Sequence, residues 1–242
     1  MKLRYLVILL ATFSCVWATQ SSAEPTEGKE YQCIEVYDCK GTYEKPDPSL
    51  LVNEDVLTEK KVEVVELFWY TCPHCADLEE NKYMNAWRKS KADYIEFTQM
   101  PAVFSDKHLQ LAYAKAYYAA QALGILSKVH GKIFDEIHKK GTRIQSEAQL
   151  IELFAKYGEV EPADFETKYK SFSVNTQANK ANGHTISYAV NGVPAMIVQG
   201  KYRLSATTAG GYENLFKVVD YLAEKEYKVL TTPEVSVAAD SN

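Results

Sequence analysis

Beyond residue 23 the chain lacks any apolar run approaching the ~20 residues that cross a bilayer as a helix. It also lacks a basic block. With residues 1–23 set aside, 25 Lys and Arg face 32 Asp and Glu, a net charge of −7. This balance argues against nucleic acid or an anionic membrane surface as a partner. There is no internal repeat and no low-complexity tract, so the remaining 219 residues are expected to form a packed core.

The first 23 residues have the layout of a secretory signal peptide. Two basic residues precede a short apolar run at 6–17, and small residues end the segment at Ala23. Cleavage is expected after Ala23, with Ala18 as the alternative. A lipidated Cys15 is a further alternative. A permanent anchor is disfavoured because the apolar run is too short to span a bilayer.

Cysteine is scarce, since only four remain after residue 23. Two residues separate Cys72 from Cys75, and five separate Cys33 from Cys39. Export would place them where disulfides persist, so two pairs are the first interpretation. A structural zinc site made of all four is the alternative, although the gap between Cys33 and Cys39 is wider than the usual zinc knuckle.

The region around Cys72 predicts a βαβ unit. Residues 62–69 are β-branched and aromatic, which is typical of a buried strand. Pro73 suits the first position of a helix, and that helix can continue to Arg88. Residues 94–100 read as the next strand, so strand, helix and strand follow within 40 residues.

The pattern then becomes helical from about 107 to 188, with apolar residues recurring at helical spacing. Ser146 followed by Gln149 predicts a capping box at one helix start. Residues 195–204 read as strand, tight turn and strand, and a last amphipathic helix and a loose tail from about 229 follow. These signals predict an α/β domain interrupted by about 80 helical residues. A short strand is also expected within 37–44.

The sequence Cys72-Pro73-His74-Cys75 carries the chemistry. At a helix N-terminus, free N–H groups and the helix dipole favour a thiolate at Cys72, with Cys75 one turn later beneath it. His74 adds a positive charge beside the Cys72 sulfur. A more stable thiolate makes the disulfide a stronger oxidant, so the residues inside the motif indicate disulfide donation.

Residues 68–75, Phe-Trp-Tyr-Thr-Cys-Pro-His-Cys, together with Gly-Val-Pro-Ala at 192–195, resemble the DsbA family of bacterial periplasmic dithiol oxidases. The resemblance runs from about 28 to 225. It implies a thioredoxin-like fold with an inserted all-helical domain. It also implies donation of the Cys72–Cys75 disulfide to reduced or unfolded exported proteins, through a mixed disulfide on Cys72.

The resemblance extends to partners and location. It implies a periplasmic monomer that needs no bound cofactor and is reoxidised by a DsbB-like, quinone-linked membrane protein. A disulfide isomerase or reductase on the same site is the nearest rival. A non-enzymatic chaperone or binding module, with the cysteines as a structural staple, is another. Equilibration with glutathione would separate the three.

The family pattern also assigns residues at a second segment. It implies that Pro194 is cis and lies against the active-site disulfide, as part of the catalytic set with Cys72, Pro73, His74 and Cys75. The backbone of Val193 would then pair with an extended substrate. The simpler alternative is that Pro194 merely starts an edge strand.

Two carboxylates are candidates for proton transfer. Glu66 interrupts the predicted strand six residues before Cys72, where a buried carboxylate could accept the Cys75 proton. Strand alternation would equally allow it to face solvent. Glu79 matches an acidic position of the family, with an exposed helix face as the alternative. Where the family usually carries a lysine this chain has Gln99, so the charge balance around Glu66 departs from the pattern.

The remaining candidates are structural. Cys33 and Cys39 would close a small loop worth roughly 2 kcal/mol by the chain-entropy estimate, and a second redox pair is the alternative. The histidines of the helical region lack metal-ligand spacing and are interpreted as satisfied or surface residues; they are His108, His130, His138 and His184. No metal site is predicted.

The patterns and the family resemblance together predict four segments. They are a signal peptide at 1–23, a thioredoxin-like domain at 24–104 and 186–230, a helical insertion at 105–185 and a flexible tail at 231–242.

Overall fold

The computed structural model describes residues 24–34, 47–105 and 109–232. Within them, one five-stranded sheet has the order β1-β5-β4-β2-β3. Its strands are β1 (Gln32–Cys33), β2 (Val62–Phe68), β3 (Ile95–Pro101), β4 (Ala195–Val198) and β5 (Tyr202–Leu204). Only the β2–β3 pair is parallel; β4 runs antiparallel to β2 and β5, and β1 antiparallel to β5.

The helices of the described residues fall into two groups. Those packed with the sheet are α1 (Asp55–Thr58), α2 (Pro73–Glu79), α3 (Lys82–Ser90), α9 (Ala206–Ala209) and α10 (Tyr212–Thr231). Those between β3 and β4 are α4 (Gln110–Ala122), α5 (Leu126–His138), α6 (Glu147–Gly158), α7 (Pro162–Tyr169) and α8 (Phe172–Ser187). The predicted α/β core with a helical interruption is therefore confirmed.

Strand β2 is the centre of the sheet, and all seven of its residues are buried. Val62 and Val64 pack in one apolar cluster with residues of α3 and α10. Val65 and Leu67 pack in another with residues of β4 and α8. Both faces of the strand are covered, as its continuous apolar run predicted.

The predicted helix from Pro73 to Arg88 is two helices in the structure. α2 ends at Glu79, and α3 starts at Lys82 after Asn81, whose side chain accepts a hydrogen bond from the Tyr83 amide at 2.9 Å. Asparagine is a favoured N-cap residue because its oxygen satisfies a free amide of the first turn. The break turns α3 so that it packs against α10.

The predicted start of α6 and the predicted ends of α8 and α10 can be compared with the structure. Ser146 does cap α6, accepting from the Gln149 amide at 3.2 Å, but the Gln149 side chain accepts from the Gln145 amide and closes no reciprocal box. α8 continues past the predicted boundary at 185. α10 runs to Thr231, so the loose tail predicted from 229 starts too early, because the apolar face of the helix continues.

The turn between β4 and β5 is tight, as predicted. Gly200 adopts φ +63°, and a Cβ there would lie 2.8 Å from the Leu50 carbonyl oxygen, so only glycine fits. The strand predicted within 37–44 and the segments 1–23 and 233–242 lie outside the described residues. No helix that the structure describes is both long and apolar enough to cross a membrane.

Candidate active site

Cys72 lies where β2 gives way to α2. A turn in which the Cys72 amide donates to the Trp69 carbonyl at 3.0 Å brings it to the N-cap position, with Pro73 as the first helical residue. The Cys75 amide then donates back to the Cys72 carbonyl at 3.1 Å. The sequence folds this way because proline at the first position costs the helix no hydrogen bond.

The two thiols differ sharply in surroundings. Both are free in this structure. Cys72 is half-buried, whereas Cys75 has no exposed surface. The hydrogen bond from the Cys75 thiol lowers the pKa of Cys72 to about 6, helped by the Cys75 and His74 amides and the His74 charge. Burial raises the pKa of Cys75 far above its usual range, and the neighbouring Cys72 adds to the effect. Cys72 is therefore the thiolate, and Cys75 holds its proton.

His74 acts more weakly than its place in the motif suggested. Its ring is exposed and lies 4.0 Å from the Asp77 carboxylate, and its carbonyl accepts a 3.4 Å hydrogen bond from the Tyr212 hydroxyl. Its charge is the smallest of the influences that lower the pKa of Cys72, behind the Cys75 thiol and the backbone amides. Most of the stabilisation of the thiolate therefore comes from the Cys75 thiol, followed by the backbone amides of the helix start.

This order of influences can be tested by titrating the thiolate through its absorbance at 240 nm. The midpoint should lie near pH 6 in the parent chain. His74→Gln should raise it by less than about one pH unit, and Cys75→Ala should raise it more, because the latter removes the larger hydrogen bond. The reverse ranking of the two variants would show that the His74 charge dominates.

A second segment faces Cys72. The Val193–Pro194 peptide bond is cis, and the Cys72 sulfur lies 3.4 Å from the Val193 carbonyl oxygen. Pro194 directly precedes β4, and an open pocket adjoins it. That pocket is lined by His74, Asn191, Gly192, Val193, Pro194, Ser205, Ala206, Thr207 and Tyr212. The structure thus brings together the two segments on which the sequence placed the site.

Glu66 and Glu79 lie beside each other beneath the motif. Glu66 is 1% exposed, so the solvent-facing alternative is wrong: helices cover both faces of β2. Gln99, its neighbour on β3, donates one amide hydrogen to Glu66 at 2.9 Å and the other to Glu79 at 3.1 Å. Arg88 forms an ion pair with Glu79 at 2.9 Å and lies 3.8 Å from Glu66. The exposed-face alternative for Glu79 is also wrong.

The two carboxyls have opposite shifts. Burial raises the pKa of Glu66 to about 7, against the lowering charge of Arg88. Burial also opposes ionisation of Glu79, but the hydrogen bonds and the charge of Arg88 outweigh it and lower the pKa of Glu79. A pair of acids with diverging pKa values is the usual sign of divided roles in a site.

Two histidines of α5 hold the loop that leads to Cys72. His130 Nδ1 lies 2.8 Å from the Tyr70 hydroxyl, and His138 Nε2 donates to the Tyr70 carbonyl at 2.8 Å. Burial lowers the pKa of His130 to about 4. From sequence alone both histidines are interpreted as satisfied or surface residues, and Arg88 is not recognised as part of the site. The available signal was weak: His130, Phe134 and His138 share one helical face.

The other candidates stay apart from this site. Cys33 is disulfide-bonded, while Cys39 lies outside the described residues, so their pairing stays a prediction. His108 is also outside them, and His184 stacks on Tyr188. Among the residues with described positions, no cluster of three or more His, Cys, Asp or Glu side chains could hold a metal ion.

An acidic, half-buried thiol and a buried thiol one turn apart, at the end of a central strand of this sheet, define a thiol:disulfide oxidoreductase of the thioredoxin fold.

Comparison with known proteins agrees with that class. The family described as "DSBA-like thioredoxin domain" matches residues 63–223. A thiol:disulfide interchange protein DsbA from Azotobacter vinelandii is 40% identical over 166 residues, 69% of this chain and 75% of the relative. Its counterpart in Burkholderia cepacia is 32% identical over 93% of this chain and 96% of the relative. The crystal structure of Pseudomonas aeruginosa DsbA superposes with a TM-score of 0.69 at 30% identity, covering 86% and 97%. The chain belongs to the DsbA-like thioredoxin family and is a disulfide-forming oxidase.

Proposed function

We propose that this enzyme donates the Cys72–Cys75 disulfide to reduced proteins exported to the periplasm, through a mixed disulfide on Cys72. The observation that carries the proposal is the contrast between the thiols. Cys72 is reachable and acidic, with a pKa of about 6, while Cys75 is fully buried and holds its proton. Only Cys72 can exchange with a large partner, and it is also the better leaving group.

The reaction balances as one two-electron transfer. A substrate thiolate attacks the Cys72 sulfur, the Cys72–Cys75 bond breaks, and Cys75 leaves as a thiolate. Glu66, protonated below its pKa of about 7, supplies the proton that Cys75 takes up. A second substrate thiolate then attacks the substrate sulfur of the mixed disulfide, and Cys72 leaves as a thiolate. The substrate gains a disulfide, and the enzyme is left as the dithiol.

The segment at Val193 and Pro194 positions the substrate in this proposal. The Val193 carbonyl oxygen lies 3.4 Å from the Cys72 sulfur, and the adjoining pocket is open and partly polar. An extended peptide could lie along Val193 with its cysteine beside Cys72. Pro73 and His74 shape the helix start at which the thiolate forms.

Reoxidation, location and assembly complete the proposal. A DsbB-like, quinone-linked membrane protein would accept the two electrons of the dithiol, so the enzyme itself would need no bound cofactor. Residues 1–23 would direct the chain to the periplasm, and it would act as a monomer. Cys33 and Cys39 would form a structural disulfide and take no part in the exchange.

Equilibration in graded glutathione buffers tests the direction of the reaction. Thiols are trapped by alkylation and counted by mass spectrometry. We expect the Cys72–Cys75 couple to be half reduced at a potential well above that of thioredoxin, about −270 mV, because the acidic Cys72 stabilises the reduced form. A midpoint near the thioredoxin value would favour a reductase, and no exchange at all would favour a binding module.

The same spectra report on the other cysteines. Cys33 and Cys39 should stay oxidised at potentials that reduce Cys72 and Cys75. Opening of both pairs at one potential would contradict the structural assignment and favour a second redox pair.

A further inference from the structure

A buried polar group lies beneath the redox motif, and its members come from five different elements. We call it the carboxylate cluster; it consists of Glu66 on β2, Glu79 on α2, Arg88 on α3, Gln99 on β3 and His130 on α5. Since Gln99 is neutral, the charge that balances the carboxylates has to come from another element of the fold.

Arg88 forms hydrogen bonds with Glu79 but not with Glu66. Its Nη1 and Nη2 donate to Oε1 and Oε2 of Glu79 at 3.3 and 2.9 Å, which is the two-pronged fork that a carboxylate accepts best. The distance from Nη2 to Glu66 is 3.8 Å, too long for a hydrogen bond. The guanidinium also lies 5.3 Å from the centre of the Phe97 ring, which holds it over β3.

His130 adds a second donor on the side of Glu79. Its Nδ1 lies 2.8 Å from the Tyr70 hydroxyl, and its Nε2 lies 3.7 Å from Glu79 Oε2. With Tyr70 donating to Nδ1, the neutral ring carries its hydrogen on Nε2, which faces the carboxylate. Nε2 is buried and has no hydrogen-bond partner among the described residues, so an ionised Glu79 is the acceptor its position favours.

Glu66 has fewer hydrogen-bond donors around it than Glu79. Its partner on the neighbouring strand is the Gln99 amide, at 2.9 Å. Gln99 donates its other amide hydrogen to Glu79, and its side chain is uncharged. Two carboxylates therefore share one cation in a site where Glu66 is 1% exposed. A buried pair with a single compensating charge retains one proton, and the carboxylate with fewer donors holds it.

We propose that Arg88 is a positioning residue of the redox centre: it holds Glu79 as a permanent anion and so leaves Glu66 as the one group of the cluster that exchanges a proton with Cys75. This inference rests on the proposed disulfide exchange and assigns the device that tunes it. Arg88 touches no reacting atom and acts through the two carboxylates. In this chain the cation comes from a helix, while the strand position nearest Glu66 holds Gln99.

Among the described residues, the groups around Glu66 include no second Lys or Arg that could take the place of Arg88. Besides the cluster, Glu66 interacts electrostatically with Cys75 of α2, with Tyr117 of α4 and with Tyr212 of α10. Burial raises the pKa of Tyr117, so it stays neutral. Among the described residues, Arg88 is the only Lys or Arg whose charged nitrogens lie within 4 Å of either carboxylate.

The test is a carboxyl ¹³C NMR titration of the reduced enzyme labelled at glutamate, with the Glu66 signal assigned through Glu66→Gln. In the parent chain Glu66 should titrate near pH 7. Arg88→Gln should move its midpoint up by about one pH unit or more, a tenfold change in proton affinity, because the compensating charge is gone. Arg88→Lys should restore much of the shift. An unmoved midpoint in Arg88→Gln would overturn the inference.

Glu79→Gln gives the opposite sign. With the permanent anion removed, the Arg88 charge serves Glu66 alone, so its midpoint should fall. A rise in that variant would contradict the assignment. Should Arg88→Gln alone fail to fold, the Arg88→Gln/Glu79→Gln double variant buries no new charge, and its midpoint should return towards that of the parent. A double variant that kept the low midpoint of Glu79→Gln would count against Arg88.

Lys89→Gln is the matched control, since it removes the same charge from an exposed neighbour on α3. Its titration should follow that of the parent. Disulfide exchange with a reduced model peptide is measured on the same samples. A parent chain that exchanges no disulfide defeats the proposed function. A parent that exchanges, with a Glu66 midpoint that Arg88→Gln leaves in place, defeats only the inference about Arg88.

Discussion

Cys75→Ser should accumulate mixed disulfides through Cys72. Cys72→Ser should show only background disulfide-exchange activity. In Cys75→Ser the Cys72 thiolate attacks a disulfide already present in an exported protein, and one sulfur of that disulfide leaves as a thiolate. Cys75 is the group that would displace the bound sulfur and form the Cys72–Cys75 disulfide, so without it the mixed disulfide persists. Without Cys72 the redox motif has no reachable thiol, because Cys75 has no exposed surface and keeps its proton. Substitution of the two cysteines of the motif is therefore expected to give different results: trapped adducts in Cys75→Ser and none in Cys72→Ser.

Non-reducing gel electrophoresis and mass spectrometry of the enzyme purified from cells separate these outcomes. Cys75→Ser should migrate as a ladder of adducts that a reductant removes, and Cys72→Ser as a single band. Ser90→Ala, at an exposed position of α3, serves as a control substitution of similar size. Equal quantities of adduct from both cysteine variants would contradict the assigned roles.

Local sequence was enough to predict the redox motif and the elements that present it. The apolar run of β2, the proline after Cys72 and the strand after it each act over a few residues, and the structure confirms the βαβ unit they predicted. The cysteines could be ranked for the same reason. Cys72 is acidic because of groups within one helical turn of it, first the Cys75 thiol and then the Cys75 and His74 amides.

The tuning of the site could not be predicted, because it depends on contacts between distant elements. Arg88 reaches Glu79 only after Asn81 ends one helix and starts another in a new direction. His130 meets Tyr70 across 60 residues of chain. The sequence pattern of β2 did not show whether Glu66 faces the core or the solvent. A strand that is covered on both faces has no alternation of polar and apolar residues.

The acidity of Cys72 should also appear in the stability of the protein. Between about pH 5 and pH 8, the melting temperature of the reduced form should rise relative to that of the oxidised form. The pKa of Cys72 falls from its usual 9.0 when unfolded to about 6 when folded. An acid with a depressed pKa stabilises the folded state above that folded value, and the contribution is lost as pH falls through it.

The oxidised form has no ionisable Cys72, so this contribution is absent from it. Cys75 adds no slope in this range, because its thiol stays protonated in both the folded and unfolded states below pH 8. In a chain of this size each kcal/mol of linkage corresponds to roughly 2–4 °C in melting temperature. Cys72 is half-exposed, so solvent screening reduces the slope below that of a fully buried thiolate.

The same free energy sets the oxidising strength, since whatever stabilises the folded dithiol also favours reduction of the disulfide. Differential scanning calorimetry of both redox forms at pH 5, 6, 7 and 8 measures the slope. Glu66, whose pKa of about 7 lies inside the range, is controlled with Glu66→Gln, in which the slope should persist. A difference that stays constant from pH 5 to 8, or that vanishes in Glu66→Gln, would show that the Cys72 thiolate is not what stabilises the reduced enzyme.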